Sequence, residues 1–224
     1  MQVLPEKYNC ILYKMQYSEL QYQRIVESIC AKYGKTYTKE LESRNMGATD
    51  KQVCTNVVEE LQLNMSATDL EKELRSQTKV SLPKAPLREG VARLLKHLCN
   101  SGVLFALATN STRPDVRLQV ASKPNIFKLF HHMVCAGDPE VDRGKPFPDI
   151  YLMAAAKFPD KPLPVKCLVF EDSLVGLEAG LAAGMQVVMT PPRSLSPEHC
   201  EHATIVLKSL KDFKPEIFGL PPFG

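Results

Sequence analysis

Between Leu87 and Thr190, apolar runs of strand length alternate with segments of helical spacing, and this alternation limits the fold more than any other feature of the chain. The runs are "VLFALAT", "HHMVCAG", "CLVFE" and "MQVVMT". Before the first run, "LREGVARLLKHLCNSG" reads as an amphipathic helix closed by Gly102, and "PDVRLQVASKP", "PDIYLMAAAKF" and "SLVGLEAGLAAG" supply helices between the others. The strand candidates have no polar face of their own. Strands of that kind, joined by helices, are expected to form a parallel sheet covered on both sides, an α/β core.

Tyr17 to about Leu82 has a different character, one helix after another. "YSELQYQRIVESICAKYG" places Leu20, Ile25, Ile29 and Tyr33 near one face and stops at Gly34, while "TDKQVCTNVVEELQL" and "SATDLEKELRSQTKV" open on Thr or Ser with an acidic residue in the first turn. A short apolar run, "CILY" at Cys10 to Tyr13, precedes this block and supplies one more strand. The core is therefore expected to be split, with residues 1–16 and 84–224 forming the α/β core and residues 17–83 inserted as a helical domain.

Composition narrows the function classes. At 224 residues the chain buries a substantial core, and 44% hydrophobic and 24% charged residues fit a globular protein. No apolar stretch approaches the roughly 18 residues of a membrane span, and the N-terminus "MQVLPEKYNCILYKMQ" lacks the pattern of a secretory signal or transit peptide, so a soluble, cytoplasmic protein is expected. The seven cysteines form no Cys-x-x-Cys pair and are odd in number, which favours buried free thiols over disulfides or zinc. A net charge of +3 without a dense basic block argues against nucleic-acid binding and leaves a small anionic ligand open. His131, His132, His199 and His202 form no convincing ligand set and read as surface or packing residues.

Ligands of open parallel sheets sit beyond the carboxyl ends of the strands, which draws attention to three places. After "VLFALA" come Thr109, Asn110 and Ser111, whose hydroxyls, amide and neighbouring backbone N–H groups suit phosphate oxygens and equally suit a helix cap or turn. After "HHMVCAG" comes Lys145, set between Gly144 and Pro146, either a cation aimed into a cleft or a solvated surface lysine. After "CLVF" come Glu171 and Asp172, adjacent carboxylates that need a compensating cation, with Mg²⁺ suited to such oxygen ligands and helix capping as the alternative role.

Hydroxyl, lysine and carboxylate pair, in this order on an α/β core with an early helical insert, resemble the haloacid dehalogenase (HAD) superfamily of phosphohydrolases. "FALATNS", "GDPEVDRGKPFPDI", "CLVFEDSLVGLEAGLAAGMQVVM" and "SLKDFKPEIFGLPPF" are similar to its pseudouridine-5'-phosphatase and GS1-like branch, and the similarity runs from about Ile29 to the C-terminus. The resemblance implies a HAD-like Rossmann-type sheet with a helical cap and a small phosphorylated metabolite as substrate. It also implies phosphate binding by Thr109, Asn110 and Lys145, with Thr109 and Lys145 assisting catalysis, and Mg²⁺ binding by Glu171 and Asp172. It implies nothing definite about oligomeric state.

One motif of that family is missing. Its first strand ends in Asp-x-Asp-Gly, whose first Asp attacks phosphorus and ligates the metal and whose second acts as acid and base. No Asp-x-Asp occurs in this chain, and alignment of Ile11 to Met15 with the family pattern puts Lys14 at the nucleophile and Gln16 at the acid/base position, with about four residues missing before Ile25. A protonated lysine is neither nucleophilic nor compatible with a metal, and glutamine transfers no proton at useful pH, so turnover is expected to be impaired or absent. Two readings of Lys14 stand: its ammonium fills the metal position and pairs with Glu171 and Asp172, or the shortened segment carries it to solvent. The resemblance and the missing motif together imply an impaired phosphatase, a phosphate-binding or regulatory pseudoenzyme, or an incomplete reading of an active phosphatase.

Overall fold

The structure, a computed structural model, describes residues 9–12, 18–45, 48, 50–192 and 195–224. The chain divides into two compact units, one comprising Met1–Met15 with Leu87–Gly224 and the other Gln16–Pro86.

The first unit is built on a six-stranded parallel sheet of β1 (Asn9–Leu12), β2 (Phe105–Thr109), β3 (His132–Cys135), β4 (Cys167–Glu171), β5 (Gln186–Met189) and β6 (Ile205–Val206). The spatial order is β3-β2-β1-β4-β5-β6. Leu12 of β1 aligns with Leu107 of β2 on one side and Phe170 of β4 on the other, so the ends of these central strands share one edge of the sheet. The order reverses at β1, the kind of switch point beyond which open α/β sheets hold ligands.

Alternation along the strands explains the two covered faces. Phe105, Leu107, Leu168, Phe170 and Val188 belong to one core cluster with Val91, Leu94, Leu95 and Leu98 of α5 (Val91–Asn100), whose i, i+3, i+4, i+7 spacing makes a single apolar stripe. Phe213 and Phe218, from the C-terminal segment, close the same face. Val169 and Val187 point the other way, where Gly180 of α9 (Leu174–Ala182) comes so near that an added Cβ would lie 2.7 Å from Val187 Cγ2. The remaining helices of this unit are α6 (Arg113–Val120), α7 (Pro124–Phe127) and α8 (Asp149–Ala156), the last packed on β2 and β3.

The second unit contains α1 (Ser18–Lys32), α2 (Lys39–Asn45), α3 (Asp50–Leu61) and α4 (Ala67–Ser81) around Ile25, Val26, Ile29, Leu41, Val53, Val57, Leu70 and Leu74. Ser66 caps α4 by accepting from the Asp69 backbone N–H, as a Ser-opened helix requires. Tyr33, expected on the apolar face of α1, lies past its last turn and is exposed. Among the described cysteines, Cys99 is likewise exposed, whereas Cys30, Cys54, Cys135, Cys167 and Cys200 are buried. Among the described residues no helix is long and apolar enough to cross a membrane.

One boundary matters for the site. The helix expected from Leu87 begins only at Val91, because Gly90 adopts φ +84° and an added Cβ there would lie 2.4 Å from the Leu210 carbonyl carbon. Positive φ ends helical continuity on its N-terminal side and leaves Leu87–Glu89 outside the helix.

Candidate active site

The site is assembled at the carboxyl ends of β2, β4 and β5. Every residue of β4 is buried, so Glu171 at its end begins in an apolar setting, 1% exposed. A carboxylate there needs donors on both oxygens. Oε1 accepts from Lys145 Nζ at 2.7 Å and from the Tyr151 hydroxyl at 2.6 Å. Oε2 accepts from the backbone N–H groups of Asp172 at 2.9 Å and Ser173 at 3.2 Å and from the Ser173 hydroxyl at 3.0 Å. At least five donors therefore converge on Glu171. Ser173 also caps α9 by accepting from Gly176 N, and Gly176 has to be a glycine, since its Cβ would fall 2.0 Å from the Glu171 carboxyl carbon.

Lys145 is placed with equal care. Asn110 clamps its backbone from both sides, Oδ1 accepting from Lys145 N at 2.9 Å and Nδ2 donating to Lys145 O at 3.1 Å. Gly144 permits that approach, because a Cβ would lie 2.9 Å from Asn110 Oδ1, and the following Lys145–Pro146 bond is cis. The lysine side chain is fully buried; its ammonium donates to Ala108 O at 3.1 Å as well as to Glu171 and lies 4.5 Å from the Tyr151 ring centroid. Thr109, beside that carbonyl at the end of β2, is 7% exposed and its hydroxyl accepts from Ser111 N at 3.1 Å. An accepting hydroxyl retains its own proton for a further acceptor.

Asp172, 2% exposed, faces a different cation. Arg88 Nη1 donates to Asp172 Oδ2 at 2.6 Å while Nη2 donates to the Thr190 carbonyl, just beyond β5, at 2.5 Å. The guanidinium, 12% exposed, thus spans the ends of two strands, and its fork geometry suits two acceptors set side by side. Thr190 N in turn donates to Glu171 O at 2.7 Å, which ties the two strand ends together.

The structure therefore brings Lys145, Glu171, Asp172 and the carbonyl preceding Thr109 together, with Asn110 bound to the lysine backbone. Lys14 and Gln16 lie outside the described residues. Two participants escaped the sequence reading: Tyr151 was one aromatic among the apolar residues of a helix, and Arg88 was absorbed into a helix that starts three residues later. The glycine two positions after Arg88 was the available signal. At the start of β4, burial pushes the Cys167 thiol up to about 12 and keeps it protonated at neutral pH. At the end of β3, burial raises the Asp138 carboxyl, but hydrogen bonds from Arg113 and the Cys135 N–H outweigh burial and hold it below its ordinary value.

Comparison with known proteins decides the family. The model of haloacid dehalogenase-like hydrolases matches residues 19–184. The chain belongs to this family. It is 45% identical over 207 residues, covering 92% of the chain and 90% of the relative, to a probable pseudouridine-5'-phosphatase of Drosophila melanogaster. It is 38% identical to the mitochondrial (DL)-glycerol-3-phosphatase 1 of Arabidopsis thaliana, over 92% of this chain and 70% of that one. In fold, it is similar to a HAD family hydrolase of Deinococcus radiodurans R1 solved with phosphate and sodium, with a TM-score of 0.80, 23% identity and coverage of 97% and 99%. The Drosophila and Arabidopsis relatives carry phosphatase names, and the described sheet is the α/β core expected of the family.

Proposed function

We propose that the protein binds a small phosphorylated metabolite of the nucleotide or sugar phosphate class and hydrolyses it slowly or not at all. Thr109, the Asn110–Ser111 turn and the Lys145 charge supply the anion-binding side, and the helical unit serves as the cap that selects the group attached to phosphate. The named phosphatase activities of the relatives support the ligand class.

The observation that carries the low-turnover reading is that both carboxylates after β4 are already neutralised by side chains, Glu171 by Lys145 and Asp172 by Arg88. The family resemblance implies Mg²⁺ here, and the described residues do not fit it. Glu171 spends both oxygens on at least five donors, Asp172 holds a guanidinium, and among the described residues no third acidic, histidine or cysteine side chain completes a ligand cluster. The aligned nucleophile and acid/base positions hold Lys14 and Gln16, neither of which attacks phosphorus or relays a proton. What remains for this chain's own groups is to hold an anion: a hydroxyl proton and a fixed positive charge orient phosphate oxygens, and no covalent step follows.

Phosphate release from pseudouridine 5'-monophosphate and from glycerol 3-phosphate, with and without Mg²⁺, tests this reading. The unmodified chain is expected to match the enzyme-free background. Clear Mg²⁺-dependent release by the unmodified chain contradicts it.

A further inference from the structure

We infer that Phe147, braced by the Arg143 guanidinium, is the surface on which the base of a bound nucleotide stacks, so that this ring favours a base-bearing phosphate over a bare sugar phosphate. The inference deepens the proposed function and rests on its reading of Thr109, Asn110 and Lys145 as the anion-binding side.

Phe147 follows Lys145 by two residues and belongs to the same turn. Its N–H donates to Gly144 O at 3.1 Å, closing a four-residue turn over Lys145 and Pro146, and such a turn keeps its first and last Cα atoms within about 7 Å of each other. Gly144, at the other end of the turn, lies against the Asn110 side chain, where an added Cβ would fall 2.9 Å from Oδ1, and the same Asn110 holds the Lys145 backbone by two hydrogen bonds. The lysine side chain runs inward and is fully buried, while Phe147 stays 44% exposed. One loop therefore carries a buried cation and an exposed aromatic ring beside the Asn110–Ser111 turn.

The ring is arranged before any ligand arrives. Phe147 stands between Pro146 and Pro148; a residue ahead of proline has a restricted backbone, and phenylalanine has only two side-chain torsions to fix. Arg143 Cζ lies over the ring, 4.1 Å from its centroid, and the same guanidinium donates to the Asp149 carboxylate, Nε to Oδ1 and Nη2 to Oδ2, both at 3.4 Å. Asp149 opens α8, so the arginine is braced against the helix that follows the loop.

A flat ligand laid on an exposed phenylalanine removes apolar surface from water, and aromatic rings and guanidinium planes are the groups on which unstacked bases rest. Stacking reads a π face and no hydrogen-bonding edge, so it separates a nucleotide from a sugar phosphate and leaves one base much like another. Pre-arrangement keeps the ordering cost of that contact small.

Calorimetry on the full chain with pseudouridine 5'-monophosphate, uridine 5'-monophosphate and ribose 5-phosphate tests the inference, the last ligand carrying sugar and phosphate without a base. The two nucleotides are expected to bind alike and at least fivefold more tightly than ribose 5-phosphate. Phe147→Ala is expected to bring both nucleotides down to the affinity of ribose 5-phosphate, whose own binding changes less than twofold, and Phe147→Tyr is expected to keep the difference. Circular dichroism establishes that each variant is folded, and Phe147→Leu, which keeps apolar bulk without a π face, replaces Phe147→Ala if the latter is not. The inference is overturned if the nucleotides bind no more tightly than ribose 5-phosphate, if the folded variant lacking the ring keeps their advantage, or if it weakens all three ligands equally. Its failure is distinct from failure of the proposed function: ribose 5-phosphate bound with no advantage for a base overturns only the inference, whereas a chain that binds none of the three overturns the anion-binding reading and the inference with it.

Discussion

Glu171 and Asp172 are neighbours at the end of one strand, equally buried, and each pairs with a cation, yet they are held in opposite ways. Glu171 is enclosed by donors from α8, from the Lys145 loop and from its own following turn, with Gly176 leaving no space behind it. Asp172 Oδ2 accepts from a guanidinium that arrives from 84 residues earlier in the sequence. The first carboxylate is held by groups close to it in sequence and in the neighbouring helix, while the second accepts from a charge delivered by a distant part of the chain.

Glu171→Gln is the most damaging way to test that contrast. It leaves the buried Lys145 ammonium without its counter-charge and should destabilise by about 3–5 kcal/mol, measured by urea unfolding. Gly176→Ala attacks the same carboxylate from behind; the overlap with the Glu171 carboxyl carbon forces the side chain or the start of α9 to move, at a cost of about 1–3 kcal/mol. Arg88→Met should cost less than Glu171→Gln, because the Arg88 guanidinium is partly exposed where the Lys145–Glu171 pair is fully buried, and a larger loss than Glu171→Gln would erase the distinction drawn between them.

The smallest effect belongs to an ion pair outside the site. Arg113 Nη2 donates to Asp138 Oδ2 at 2.8 Å with the arginine 49% exposed, so solvent screening limits Arg113→Gln to under about 1 kcal/mol at neutral pH. Asp138 is held below its unfolded pKa; its contribution is therefore complete above about pH 4 and is lost as pH falls through the folded value. Arg113→Gln should flatten the acid limb of the stability profile, as followed by unfolding at pH 2 to 6.

The alternating core was legible because its period changes are local: each of "FALAT", "HMVC", "CLVFE" and "QVVM" coincides with a strand, and the helices between them start within a few residues of their caps. β6 was not legible, since Ile205–Val206 is a strand only by pairing with β5 and carries no pattern of its own. α2, with the sequence "KELESRN", lacks an apolar stripe and buries chiefly Leu41. At the site, Thr109, Asn110, Lys145, Glu171 and Asp172 followed from their places after strands. Arg88 did not, because its role depends on a contact across the fold and on the backbone of Gly90, whose positive φ and closeness to the Leu210–Lys211 segment both call for glycine.

The central claim is that Asp172 faces a guanidinium instead of a metal ion. Crystals of the unmodified protein soaked in Mn²⁺, with anomalous diffraction recorded at the manganese edge, test it most directly. The expected result is Arg88 bonded to Asp172 and Thr190 with no anomalous peak within coordination distance of Asp172. A manganese peak ligated by Asp172, with Arg88 displaced, would contradict the account.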